Sequence, residues 1–137
     1  MKKLVDFLGM NYTDLRGYTL HLAAWNGEEQ PMDVFNRSFE EWKGWNEWRG
    51  NRNDFTRDKV FCLIPDYTKV DTYFFAGIFE IKRRFDDWQE TERGYEMELS
   101  DQFKELIGKL EVKFYRYQGL LGRAFRLETL IDKMEVI

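Results

Sequence analysis

Asp66, Glu80 and Lys82 supply the residue types of a metal-dependent nuclease core, where carboxylates hold Mg²⁺ and a lysine faces the attacking water. Their spacing does not suit that chemistry. Asp66 falls in the turn ahead of a strand expected over residues 72–82, while Glu80 and Lys82 fall at the strand's far end. At ~3.3 Å per residue the two carboxylates would stand roughly 26 Å apart, too far to share an ion. The single histidine, His21, and the single cysteine, Cys62, each lie in an apolar strand-like run. Both are expected to be buried structural side chains, not a base and a nucleophile. Ser38 and Ser100 occupy no strand–turn–helix elbow, and Gly119-Leu120-Leu121-Gly122 lacks the lysine of a phosphate-cradling loop. No catalytic residue, metal site or cofactor is expected, and the chain alone is not read as an enzyme.

Recognition chemistry is better represented. Trp42, Trp45, Trp48, Asn51, Asn53, Phe55 and Arg57 crowd one segment, and aromatics beside amides can stack a flat base and bond its edge. The same tryptophans also suit the apolar face of a helix packed on a sheet. Phe35, Phe39 and Trp42, spaced by four and three, are assigned to the core. Trp48, beside the amides, is the one expected to face a ligand. Further along, Lys113, Arg116, Arg123 and Arg126 occur with no acid between them, a basic stretch fit for phosphates. The candidate nucleic-acid-binding set is therefore Trp45, Trp48, Asn51, Asn53, Arg57, Lys113, Arg116, Arg123 and Arg126. A net charge of −4 argues against a general nucleic-acid binder and favours a rival class, a stand-alone protein-interaction or inhibitory module.

The elements that would position these residues follow from periodicity. Residues 2–10 have the spacing of a short helix. Residues 18–24 suit a strand. Pro31 can open a helix over 31–48, broken near Arg37-Ser38 or Gly44. Strands are expected over 59–64, 72–82, 93–99, 110–117 and 134–137, with Gly77 marking a bulge or a close backbone approach. A short helix capped by Ser100 or Asp101 should run to Ile107, and a helical turn should span 127–132. The fold class is α+β: a small twisted barrel or strongly curved mixed sheet of five or six strands with peripheral helices, loosely PUA-like in architecture.

With 137 residues, 43% of them hydrophobic, the chain suits a single domain with one core, residues 1–137. No linker, repeat or low-complexity segment divides it. A lone cysteine fits a reducing compartment, and the opening Met1-Lys2-Lys3-Leu4-Val5-Asp6 meets an acid before any signal-like run develops. The expectation is a soluble cytoplasmic protein with no membrane partner.

Several segments together resemble the N-terminal region that precedes the catalytic domain in bacterial GIY-YIG nuclease family proteins. They are His21-Leu22-Ala23, Phe39-Glu40-Glu41-Trp42, Asn53-Asp54-Phe55-Thr56-Arg57-Asp58 and Val60-Phe61-Cys62-Leu63-Ile64. They continue with Tyr73-Phe74-Phe75-Ala76-Gly77-Ile78-Phe79-Glu80-Ile81, Glu105-Leu106-Ile107-Gly108-Lys109-Leu110 and Asp132-Lys133-Met134-Glu135-Val136-Ile137. The likeness covers nearly the whole chain. The family's catalytic motifs are not in it: Gly94-Tyr95-Glu96 and Gly17-Tyr18-Thr19 depart from the Gly-Ile-Tyr strand. The resemblance implies a DNA-recognition module, reading a flipped or modified base, that works beside a GIY-YIG catalytic domain in cis or in trans. It implies a bacterial or phage setting in restriction or defence.

Overall fold

The computed structural model describes residues 1–48 and 55–137. Two short helices, α1 (Leu4–Leu8) and α2 (Tyr12–Leu15), lead into strand β1 (Tyr18–Leu22). Helices α3 (Pro31–Arg37) and α4 (Phe39–Glu47) follow, then strands β2 (Lys59–Pro65) and β3 (Thr72–Arg84). A turn of helix, α5 (Trp88–Thr91), joins β3 to β4 (Tyr95–Leu99). After β5 (Glu111–Lys113) come β6 (Ala124–Arg126), α6 (Leu127–Leu130) and β7 (Glu135–Val136). The seven strands form one curved mixed sheet in the order β6-β1-β2-β3-β5-β7, with β4 paired to β3.

The pairing explains why β2 reads as an apolar run and why β1, although its sequence alternates, is buried at every position. They are parallel, Tyr18 opposite Lys59 and Leu22 opposite Leu63, so a crossover must join them, and α3 and α4 are that crossover. Helices therefore cover both faces. Leu20, Leu22, Phe61 and Leu63 pack with α1, α2 and α6, while Ala23, Val60, Cys62 and Ile64 pack beneath Trp42 of α4. Ser38 accounts for the break between α3 and α4. Its backbone is extended, and its hydroxyl accepts a hydrogen bond from Glu41 N at 3.3 Å, ending one helix and capping the next.

Gly77 is a bulge. Tyr73 and Phe75 face the α1 side and Phe74 and Ala76 the α4 side, but beyond Gly77 the parity inverts, Ile78 facing α1 and Phe79 facing α4. The register slips in step: Phe61 opposes Ile78, and Leu63 opposes Phe75. One extra residue of β3 is thus accommodated at a φ of +110°, where a side chain would be strained. A Cβ there would also come within 3.1 Å of Leu99 Cδ1. On either side of the bulge β3 takes different partners, β5 at Thr72–Phe74 and β4 from Phe79 onward.

Four local expectations need correction. The strand expected over 110–117 spans only Glu111–Lys113: Phe114 N bonds Asp71 O (2.9 Å) as the last step of the ladder, and Asp71, at φ +50°, turns the partner chain away. The strand expected from 93 begins at Tyr95. The helix expected to run to Ile107 is only a 3₁₀ turn, Lys104–Leu106, because Phe103 sits in the left-handed region at φ +56°. Strand β6 and helices α2 and α5 have three or four residues each, too few to show a period, and β6 brings the strands to seven instead of five or six. Among the described residues no helix is long and apolar enough to cross a membrane.

A candidate base-binding cavity

The second half of α4 carries Gly44 and Trp45 on one flank, and Trp48, the extended residue that follows the helix end, lies a turn beyond Gly44. All three line a cavity of about 310 Å³, whose other described walls are Asn26 and Glu28 from the loop after β1 and Arg123 just before β6. Sheet pairing brings Arg123 here. Ala124 opposes His21 on β1, and Leu22 N donates to Arg123 O at 2.8 Å, so Arg123 follows the exit of β1.

The loop wall is built by Asn26. Its Oδ1 accepts hydrogen bonds from Glu28 N (2.9 Å) and Glu29 N (2.8 Å), which closes a tight turn and leaves the amide nitrogen available. Among the described residues, neither the Glu28 carboxylate nor the Arg123 guanidinium has a hydrogen-bond or ion-pair partner. Gly44 leaves room: a Cβ built there meets nothing within 4 Å.

Trp48 is 48% exposed, yet its backbone is fixed. It forms a β-bridge with Arg93, and the preceding residue anchors the helix end. Glu47 Oε2 accepts from Arg93 Nε (3.1 Å) and Nη2 (2.5 Å), Glu47 O accepts from Gly94 N (2.8 Å), and Lys43 Nζ lies 3.4 Å from Glu47 Oε1. This staple ties the end of α4 to the entry of β4. Trp48 also borders a second, shallower depression with Glu47, Glu92 and Arg93. An exposed indole on a fixed backbone costs little further entropy when a ring stacks on it.

The remaining sequence-derived residues fall in several places. Arg57 and Arg126 line another depression along β6, with Thr19, Thr56 and Phe125. The Arg57 guanidinium there is held by Glu128 at 2.6 and 3.0 Å and donates to Tyr18 O at 3.0 Å. Arg116 Nε donates to Leu120 O (3.1 Å), its Nη2 bonds Gly122 O, and the guanidinium lies 5.7 Å from the Phe125 ring centroid, so it fastens its own loop. Lys113, on β5, donates to Val70 O at 3.1 Å, on the other side of β3 from β1 and β6. Asn51 and Asn53 lie outside the described residues. Trp45, Trp48 and Arg123 are the members brought together. Asn26, Glu28 and Gly44 were missed, because the sequence marks the first two only as a turn and a solvated acid pair.

Beneath α4 lies a buried polar group formed by His21, Asn46 and Cys62. His21 stacks on Trp42 (6.1 Å, interplanar 7°) and meets the edge of Phe55 at 5.0 Å. Its Nδ1 stands 3.9 Å from Cys62 Sγ. Burial, reinforced by the nearby positive charge of Arg123 and opposed by a hydrogen bond with Asn46, lowers the His21 pKa to about 4. Burial pushes the Cys62 thiol far up. Neither group is poised for nucleophilic chemistry at neutral pH. The acids of the nuclease-like pattern are separate too. Asp66 accepts from Thr68 N and Oγ1 in the β2–β3 turn, whereas Glu80 pairs with Lys82 (3.0 Å) opposite Lys59 at the other end of the hairpin. Among the described residues no group of three or more His, Cys, Asp or Glu side chains could hold a metal ion.

No family model, curated protein or solved structure matches the chain.

Proposed function

We propose that this chain is a non-catalytic DNA-recognition domain whose cavity between Trp45, Trp48 and Arg123 receives a base turned out of its stack. The observation that carries the reading is the convergence itself: Trp45 of α4, Trp48 just after it and an arginine from the far end of the sequence line one concave site. Indole faces hold a flat ring with little regard to sequence, and polar groups at the rim read its edge. Arg126, exposed at the far end of β6 from Arg123, would meet a flanking phosphate. The resemblance to the region ahead of GIY-YIG catalytic domains adds a setting, a specificity module acting beside a nuclease in cis or in trans.

The test is a fluorescence-anisotropy titration with oligonucleotides carrying an unpaired base, at low and rising salt. Trp48→Ala should weaken binding by about 1–3 kcal/mol, the value of one base–aromatic stack. Replacing Arg126 by alanine should flatten the log–log salt slope by on the order of one. With Mg²⁺ present the oligonucleotide should remain intact. Absence of binding even at low salt would remove DNA as the partner and favour the protein-interaction alternative, which the net charge of −4 suits.

A further inference from the structure

The polar rim of the cavity has more chemistry than a stacking platform requires. Glu28 puts a carboxylate on it, Arg123 a guanidinium and Asn26 an amide N–H. Glu28 and Arg123 belong to the same small cavity but form no ion pair with each other. They therefore address different parts of whatever lies between them. A carboxylate on the rim also makes the cavity a poor seat for a phosphate and calls for N–H donors instead.

Resting on the reading of the cavity as a base site, we infer that it selects guanine. An ionised carboxylate only accepts hydrogen bonds, and guanine alone among the four bases offers two adjacent donors, N1–H and the N2 amino group. Adenine pairs one amino group with a ring nitrogen that repels the carboxylate. Thymine flanks its one N–H with two carbonyls. Cytosine offers one amino group on the same edge as its acceptors, which would draw Glu28 and Arg123 side by side. Guanine instead keeps its acceptors O6 and N7 on a second edge, the one an arginine grips with two parallel bonds. Glu28 thus takes N1–H and N2–H, Arg123 takes O6 and N7, and Trp48 stacks on the ring.

The experiment compares oligonucleotides identical except for one unpaired base. Guanine should bind at least about 5-fold tighter than adenine, cytosine or thymine, the low end of what one bidentate contact discriminates. Hypoxanthine, which lacks the N2 amino group, should lose part of that margin in the parent protein and none in Glu28→Ala. The 7-deaza analogue of guanine should lose affinity in the parent but not in Arg123→Ala. Glu28 is exposed and has no partner among the described residues, so its substitution should leave the melting temperature unchanged. A second variant, Gly44→Leu, fills the open cavity from the helix and should reduce guanine binding to the level of the other bases. Equal affinity for all four bases that still depends on Trp48 would overturn the guanine assignment and leave the base site standing. Binding of no oligonucleotide would overturn both.

Discussion

Trp42→Ala should lose about 3–5 kcal/mol of folding stability, whereas Trp48→Ala, six residues along the same chain segment, should melt almost with the parent. For a domain of this size the first loss lowers the melting temperature by on the order of 10–20 °C. The two indoles differ in what surrounds them. Trp42 is fully buried between α4 and the sheet, with its ring stacked on His21 and edge-on to Phe35. Its Nε1–H donates to Ala76 O at 3.2 Å, beside the Gly77 bulge. Alanine there opens a cavity and leaves that buried carbonyl without its partner, two costs that add. Trp48 keeps about half its surface in water, and neither its β-bridge with Arg93 nor the adjoining Gly94 N to Glu47 O bond needs the indole. Differential scanning calorimetry on the two variants, paired with the oligonucleotide titration, separates the roles. A Trp48→Ala protein that melts as early as Trp42→Ala would make Trp48 a core residue and remove it from the cavity.

That contrast was partly legible in the sequence. The spacing of Phe35, Phe39 and Trp42 marks one helical face, and the amides that follow Trp48 mark it as the tryptophan at the helix end, because both facts are local. Gly77 announced its bulge because glycine inside an apolar strand needs a backbone reason. The parallel pairing of β1 and β2 was not legible, since a crossover is defined by contacts between distant segments and leaves no period of its own. The position of Arg123 depends on that same topology: it reaches the cavity only because the three-residue β6 pairs with β1. Arg57 shows the converse limit. A cation beside aromatics looks free in sequence, while its partner Glu128 is supplied by α6 from the far end of the chain. Charge runs therefore mark candidates, and tertiary pairing decides which cations remain available.

Acid should destabilise the fold through His21 before it does so through any carboxylate. In the native state the imidazole is fully buried and its pKa is lowered to about 4, chiefly by loss of solvation, while the unfolded chain titrates near its ordinary value of about 6.5. As pH falls, the unfolded state therefore takes up the proton first. The stability due to neutral His21 is fully present above pH 6.5 and is lost progressively between about 6.5 and 4, with no further loss from this group below that. A difference of this size corresponds to about 3 kcal/mol. Asp66, Glu80 and Glu128 have lowered pKa values, so their contributions are present above the ordinary carboxylate range and disappear only below it. Their carboxylates are largely solvated, which keeps those contributions small. The interval from pH 6.5 to 4.5 thus isolates the histidine. Urea unfolding across it should show a falling midpoint in the parent and a nearly level one in His21→Gln. Arg123 also lowers the imidazole pKa, so Arg123→Ala should leave the onset near pH 6.5 unchanged, end the loss at a higher pH and make the total loss smaller. A parent protein equally stable at pH 7 and pH 4.5 would show that the imidazole accepts its proton in the native state, and so is not sealed beneath Trp42.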